Sequence, residues 1–122
     1  MAAKSDFDPV FDALKKIMKI HSRRLTVLSD KAGEYTLNAG FSEKWKKVIY
    51  FGGVKTGKSY VSFHLMPIYM YPDLLKGITA KLRARMQGKS CLNFKKVDTE
   101  LFTELKALTK RCFDRLDDEG MV

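Results

Sequence analysis

The chain has 122 residues, of which 45% are hydrophobic and 30% charged. That is the size of one domain with a core of its own, and it excludes a disordered chain, a collagen-like repeat and a disulfide scaffold. With 23 basic residues against 14 acidic ones the net charge is +9, which favours anionic partners.

The first element reads as a helix. Asp8-Pro9 offers an acceptor cap followed by proline at the first helical position, and Val10, Phe11, Leu14, Ile17 and Met18 follow at spacings of three and four. Leu25 and Val27, then Tyr35 and Leu37, alternate with polar residues around Ser29–Gly33 and predict a hairpin with a loop of roughly 3–5 residues. A second hairpin spans Lys46–Val54 and Lys58–Met66, with Lys55-Thr56-Gly57 between them. Pro67 and Pro72 end the strand region, since proline cannot donate to a ladder.

A short turn at Pro72–Lys76 leads to a helical piece capped by Thr79 and carrying Leu82 and Met86, with Gly88 as a left-handed C-terminal cap. Cys91–Phe94 reads as a short strand. Asp98 then caps a last helix with Leu101, Leu105, Leu108 and Cys112 on one stripe and Glu100 in its first turn. The order predicts a single α+β domain over residues 1–122: a curved antiparallel sheet of about five strands, with the N- and C-terminal helices on one face. Its core should contain Ile49, Phe51, Val61, Phe63 and Leu65, with Leu14, Leu105 and Leu108 on top.

The charge is uneven. Residues 13–97 hold 18 Lys or Arg but only four acids, Asp30, Glu34, Glu43 and Asp73, while the two ends are acidic. Cys91 and Cys112 are 21 positions apart with no CxxC pattern, and both read as reduced, buried thiols. No apolar run reaches the roughly 20 residues of a membrane span, and the start MAAKSDFDPV has no apolar signal-peptide core. The expectation is a cytoplasmic chain with no membrane partner.

Gly52-Gly53-Val54-Lys55-Thr56-Gly57-Lys58-Ser59 satisfies the phosphate-loop pattern G-x-x-x-x-G-K-[ST]. That loop works through the N–H groups and dipole of a helix starting at its Lys-Ser end. Here Tyr60-Val61-Ser62-Phe63-His64-Leu65 follows, with the period of a strand. The pattern therefore reads as a glycine-containing hairpin, with no ATP chemistry. His21 and His64 lie on different elements with no carboxylate at ligand spacing, the serines show no nucleophile elbow, and the acids Asp114, Asp117, Asp118 and Glu119 read as a solvated helix end. No catalytic residue and no cofactor are expected.

Alternation on the second hairpin sends Lys46, Tyr50, Lys58, Tyr60, Ser62 and His64 to the open face of the sheet. Cations interleaved with aromatics resemble the platforms on which single-stranded nucleic acid stacks. Lys46, Tyr50, Lys58, Tyr60, His64 and Lys89 are the candidate ligand contacts, with Lys89 brought to the same rim by the turn at Gly88.

Gly57-Lys58-Ser59-Tyr60-Val61-Ser62-Phe63-His64-Leu65-Met66-Pro67 and Met86-Gln87-Gly88-Lys89-Ser90-Cys91-Leu92-Asn93-Phe94 resemble the YdhG-like family, small and mostly bacterial proteins of unknown function. The resemblance covers nearly the whole chain. It implies a frataxin-like fold and, as some members are described, iron delivery. Iron of that kind prefers oxygen ligands, which only Asp6, Asp8 and Asp12 could cluster here. The expected function is a non-enzymatic binding or adaptor domain for an anionic ligand or a protein, nucleic acid included; the alternative is a frataxin-like iron-binding chaperone using the three aspartates.

Overall fold

The computed structural model describes residues 2–122, with side chains from Phe7 onward. Helix α1 (Ala2–Lys19) leads through a 3-10 turn into β1 (Thr26–Lys31), β2 (Glu34–Ser42), β3 (Lys47–Thr56) and β4 (Val61–Leu65). Two short helices follow, α2 (Met66–Met70) and α3 (Ala80–Arg83), with a 3-10 turn at Pro72–Leu75 between them. The chain then returns to the sheet as β5 (Met86–Gln87) and β6 (Cys91–Phe94) and ends in α4 (Thr99–Asp118). All strand pairs are antiparallel and the order is β1-β2-β3-β4-β6-β5, an open six-stranded sheet.

Both long helices cover one face. On α1, Val10, Phe11, Leu14, Ile17 and Met18 are buried; on α4, Leu101, Leu105, Leu108 and Cys112 are buried. Phe113 of α4 meets Phe51 of β3 edge-on at 6.3 Å, and Phe102 meets Phe94 of β6 at 5.0 Å. Val61, Phe63 and Leu65 are fully buried beneath them, as the alternation of that strand predicts. Each such side chain contributes about 1.5–3 kcal/mol. The ion pairs on the surface contribute about 0–1 kcal/mol each, so apolar burial holds the fold.

Several local expectations change. Helix α1 begins six residues before Asp8 and runs through Pro9, so Asp8 is an exposed helical residue and not a cap. The proline costs the helix one i→i−4 bond, and the buried stripe after it outweighs that loss. The first hairpin is tight: β1 and β2 continue to Lys31 and Glu34, with only Ala32 and Gly33 between, and Gly33 takes the left-handed φ of +77° that such a turn requires. In the second hairpin Lys55 and Thr56 belong to β3, and the turn is Gly57–Tyr60, closed by the Gly57 N–H donating to the Tyr60 carbonyl at 2.8 Å.

Met66–Met70 is helical because Pro67 falls in a first turn, where its missing N–H is free of cost. Thr79 does cap α3, accepting from the Leu82 N–H at 3.2 Å, but Met86 lies on β5. Gly88 is left-handed, at φ +80°, in the β5–β6 turn and not at a helix end. Asp98 caps α4, accepting from the Leu101 N–H at 3.1 Å.

The largest departure is a change of parity inside β3. Leu37 pairs with Gly52 but Asn38 pairs with Tyr50, which leaves Phe51 as an extra residue. Phe51 and Gly52 consequently both face the core: Phe51 lies against Phe113, and a Cβ on Gly52 would come within 3.2 Å of the Met18 side chain. Before this bulge Ile49 points in and Tyr50 out; after it Val54 points in and Lys55 out. A second extra residue lies on β2, where Asn38 and Phe41 are three apart opposite Tyr50 and Val48.

Candidate functional site

The phosphate-loop pattern is sheet and turn throughout. Lys58 and Ser59 occupy the exposed turn, and β4 follows where a nucleotide site would need a helix. The glycines serve packing. A Cβ on Gly52 would run into the His64 carbonyl of the neighbouring strand, and one on Gly53 would sit 2.6 Å from the Tyr50 hydroxyl.

The register groups the open face into cross-strand rows. Glu34, Lys55, Ser62 and Asn93 lie in one row; Thr36, Gly53, His64 and Cys91 lie in the next. Gly53 leaves the space over which Tyr50 leans toward His64, with ring centroids 5.4 Å apart. Tyr50 and His64 are thus brought together as the sequence suggests.

The four other candidate residues are dispersed. Lys46 is in the β2–β3 turn at φ +57°, exposed, with its ammonium 3.7 Å from Glu43; the strand begins one residue later, so its placement on the sheet face does not hold. Lys58 lines a cleft of 570 Å³ between the two hairpin tips, together with Lys31, Glu34 and Lys55. Glu34 lies 3.9 Å from each of Lys31 and Lys55, so much of the positive charge there is offset. Tyr60 lines a recess of 300 Å³ with Arg85, Gln87, Asn93 and Lys95. Lys89 sits in the β5–β6 turn with its ammonium 5.8 Å above the Tyr69 ring.

The Tyr60 recess borders a concentration of charge that the candidate set misses. From Lys76 to Val97 the chain has seven cations and no acid. Lys81, Arg85, Lys95 and Lys96 line a cleft of 520 Å³ floored by Phe94 and Leu101, with Asp98 as its one carboxylate. Arg85 and Lys95 border both recesses. The ion pairs of the described residues lie elsewhere, as in Lys15–Asp30, Arg24–Asp117 and Arg115–Asp73, and none involves these four cations. The acid-free run was the available signal in the sequence; its position beside Tyr60 depends on β6 lying next to β4.

A thiol and an imidazole also meet on the open face. His64 Nδ1 lies 3.0 Å from Cys91 Sγ, and His64 Nε2 lies 3.5 Å from the hydroxyl of the buried Ser90. The expectation of a buried Cys91 is therefore corrected: it is half-buried and hydrogen-bonded, whereas Cys112 is, as expected, fully buried in the core. Burial pushes the His64 pKa down and the Cys91 thiol up, which keeps both neutral. Burial, and secondarily the charges of Cys91 and Glu34, pushes Tyr50 up to about 12. Beside this pair Ser62 donates to Asn93 at 2.9 Å, and Asn93 donates to Gln87.

Of the aspartates offered for iron, Asp8 and Asp12 are exposed on α1, and the Asp6 side chain lies outside the described residues. Among the described residues no three His, Cys, Asp or Glu side chains are placed to hold one metal ion. No helix is long and apolar enough to cross a membrane. No protein-family model, curated protein or solved structure matches the chain.

Proposed function

We propose that this protein is a non-enzymatic binding domain for a phosphate-bearing polyanion, built on the YdhG-like, frataxin-like plan that its sequence resembles. One observation carries the reading: the acid-free run ending at Val97 folds into a rim where Lys81, Arg85, Lys95 and Lys96 have no carboxylate in ion-pair range among the described residues. Cations with no carboxylate partner are available to neutralise phosphates, and each phosphate neutralised releases counterion condensed on the polyanion. Tyr60 beside the rim supplies a flat apolar surface, and Asn93 and Gln87 supply amide groups.

The test compares three double reversals by fluorescence anisotropy on a labelled single-stranded oligonucleotide and on inorganic polyphosphate. Arg85→Glu with Lys95→Glu should weaken binding far more than Lys16→Glu with Lys19→Glu on α1, and more than Lys46→Glu with Lys58→Glu. The log–log salt slope should fall by roughly 0.7 for each single-strand phosphate contact removed. Stronger binding of the oligonucleotide than of polyphosphate assigns the ligand to nucleic acid. Equal losses from all three pairs would reduce the interaction to diffuse attraction by the net charge.

A further inference from the structure

The contact between Cys91 and His64 has a chemistry of its own, independent of the anion-binding rim. Two adjacent strands, β4 and β6, fix the pair at directly opposed positions, so its geometry rests on the sheet ladder and not on a loop. Sγ lies 3.0 Å from Nδ1, within reach of a proton transfer, and Ser90 stands at the other ring nitrogen. A proton on Nε2 shared with the Ser90 hydroxyl leaves the Nδ1 lone pair facing the thiol. A nucleophile, a base and a group that orients the base are thus in contact on a face that neither long helix covers.

We propose that Cys91 and His64 form a thiol-exchange site that accepts a small disulfide and becomes reversibly S-thiolated. In the forward step the Cys91 sulfur attacks one sulfur of RS–SR as its proton passes to His64 Nδ1. The S–S bond of the reagent breaks, and the departing thiolate takes the proton from His64 as RSH. Cys91 is oxidised to the mixed disulfide Cys91–S–SR, and the other half of the reagent is reduced. The product persists, because Cys112 is buried beneath the opposite face of the sheet and cannot resolve it. A second thiol molecule reverses the step.

The groups facing the pair are Tyr50 from β3, Gln87 from β5 and Ser90 from the preceding turn. Tyr50, at about 12, stays protonated through the neutral range. Proton transfer within the pair therefore governs the reaction.

The experiment follows release of thionitrobenzoate when the full chain reacts with dithiobis-nitrobenzoate. In the native protein the reaction should stop at one thiol. Cys91→Ser should abolish it, and Cys112→Ser should leave it unchanged. His64→Gln should slow it about tenfold or more, with added imidazole restoring part of the rate. The unmodified protein gives a further readout that needs no variant. With His64 as base its rate should stay level between about pH 7 and 8, whereas attack by free thiolate climbs about tenfold per pH unit there. Reaction surviving Cys91→Ser in folded protein, a full rate in His64→Gln, or the thiolate slope in the unmodified protein would each overturn the proposal.

Discussion

The backbone N–H of Gly40 donates to the carbonyl of Met121 at 2.6 Å, which ties the residues after α4 to the bulged part of β2. The approach is close enough that a Cβ on Gly40 would sit 2.9 Å from that carbonyl. Met121 is 2% exposed, so the contact has an apolar half as well as a polar one.

Met121→Ala should therefore lower stability by about 2–3 kcal/mol, in the range of buried Met truncations. Chemical denaturation monitored by circular dichroism checks this. A loss below about 0.5 kcal/mol would show that the C-terminal segment is peripheral to the fold.

Gly52→Ala should destabilise the domain by about 2–3 kcal/mol or more, because the new methyl meets a backbone carbonyl and the Met18 side chain at once. Lys58→Ala, in the exposed turn, should change stability by less than about 0.5 kcal/mol. A true phosphate loop predicts the opposite emphasis, with Lys58→Ala abolishing magnesium-dependent ATP binding. Isothermal titration with ATP should show no such loss.

Stability should decline as the pH falls from about 7 to 5, and two histidines set that window. Burial lowers the pKa of His21, which stacks on Phe113 at 4.6 Å, and burial likewise lowers His64. Around His21, Asp114 raises the value and Lys110 lowers it, both less than burial does. The unfolded chain takes up protons near 6.5, before the native state does, so stability rises with pH between the folded values and 6.5. Asp30 and Asp73 are held down by hydrogen bonds from Lys15 and Arg115, and their contribution disappears only below 3.8, as the pH falls through their folded values. Melting temperatures of the double variant His21→Gln, His64→Gln should be flatter between pH 7 and 5 than those of the unmodified chain. An unchanged slope would assign the decline to other groups.

Thr79 joins α3 to α4. Its N–H and its hydroxyl each donate to the Glu104 carboxylate at 2.7 Å, while its oxygen caps the Leu82 N–H. Thr79→Ala should cost about 1 kcal/mol and speed amide exchange over residues 80–83. Because α3 carries Lys81, the same variant should weaken polyanion binding modestly even though it removes no charge.

The parts of the fold legible in the sequence are those governed by local periodicity. Val61, Phe63 and Leu65 alternate without interruption, α4 carries its apolar residues three and four apart, and Asp98 and Thr79 each precede the N–H they cap by three positions. What stayed hidden depends on pairing. Phe51 is as apolar as its neighbours, and nothing in its identity tells that two consecutive residues share a face there. Lys46 continues the alternation of β3 on paper, yet it belongs to the turn. His64 and Cys91 are 27 positions apart, and only the β4–β6 pairing makes them neighbours. Tyr50 and Tyr60 were visible as amphipathic residues, but the partners that give Tyr60 a context, Arg85 and Lys95, arrive through that same pairing.

The bulge at Phe51 divides the sheet into two reading frames. Residues 47–50 follow one assignment of inside and outside, and residues 52–65 follow the other, with the turn at Gly57–Tyr60 preserving it. Deleting a residue in the β2–β3 turn would shift only the chain on the turn side of Val48, while Val48, Ile49 and Tyr50, joined to Gly52 through the bulge, and the ladder from Gly52 to Leu65 keep their register. Changes of length in the β2–β3 turn can therefore be absorbed at one end of the sheet. The end that sets Cys91 against His64 and holds Tyr60 beside the cationic rim is insulated from them, as a clutch isolates one shaft from another.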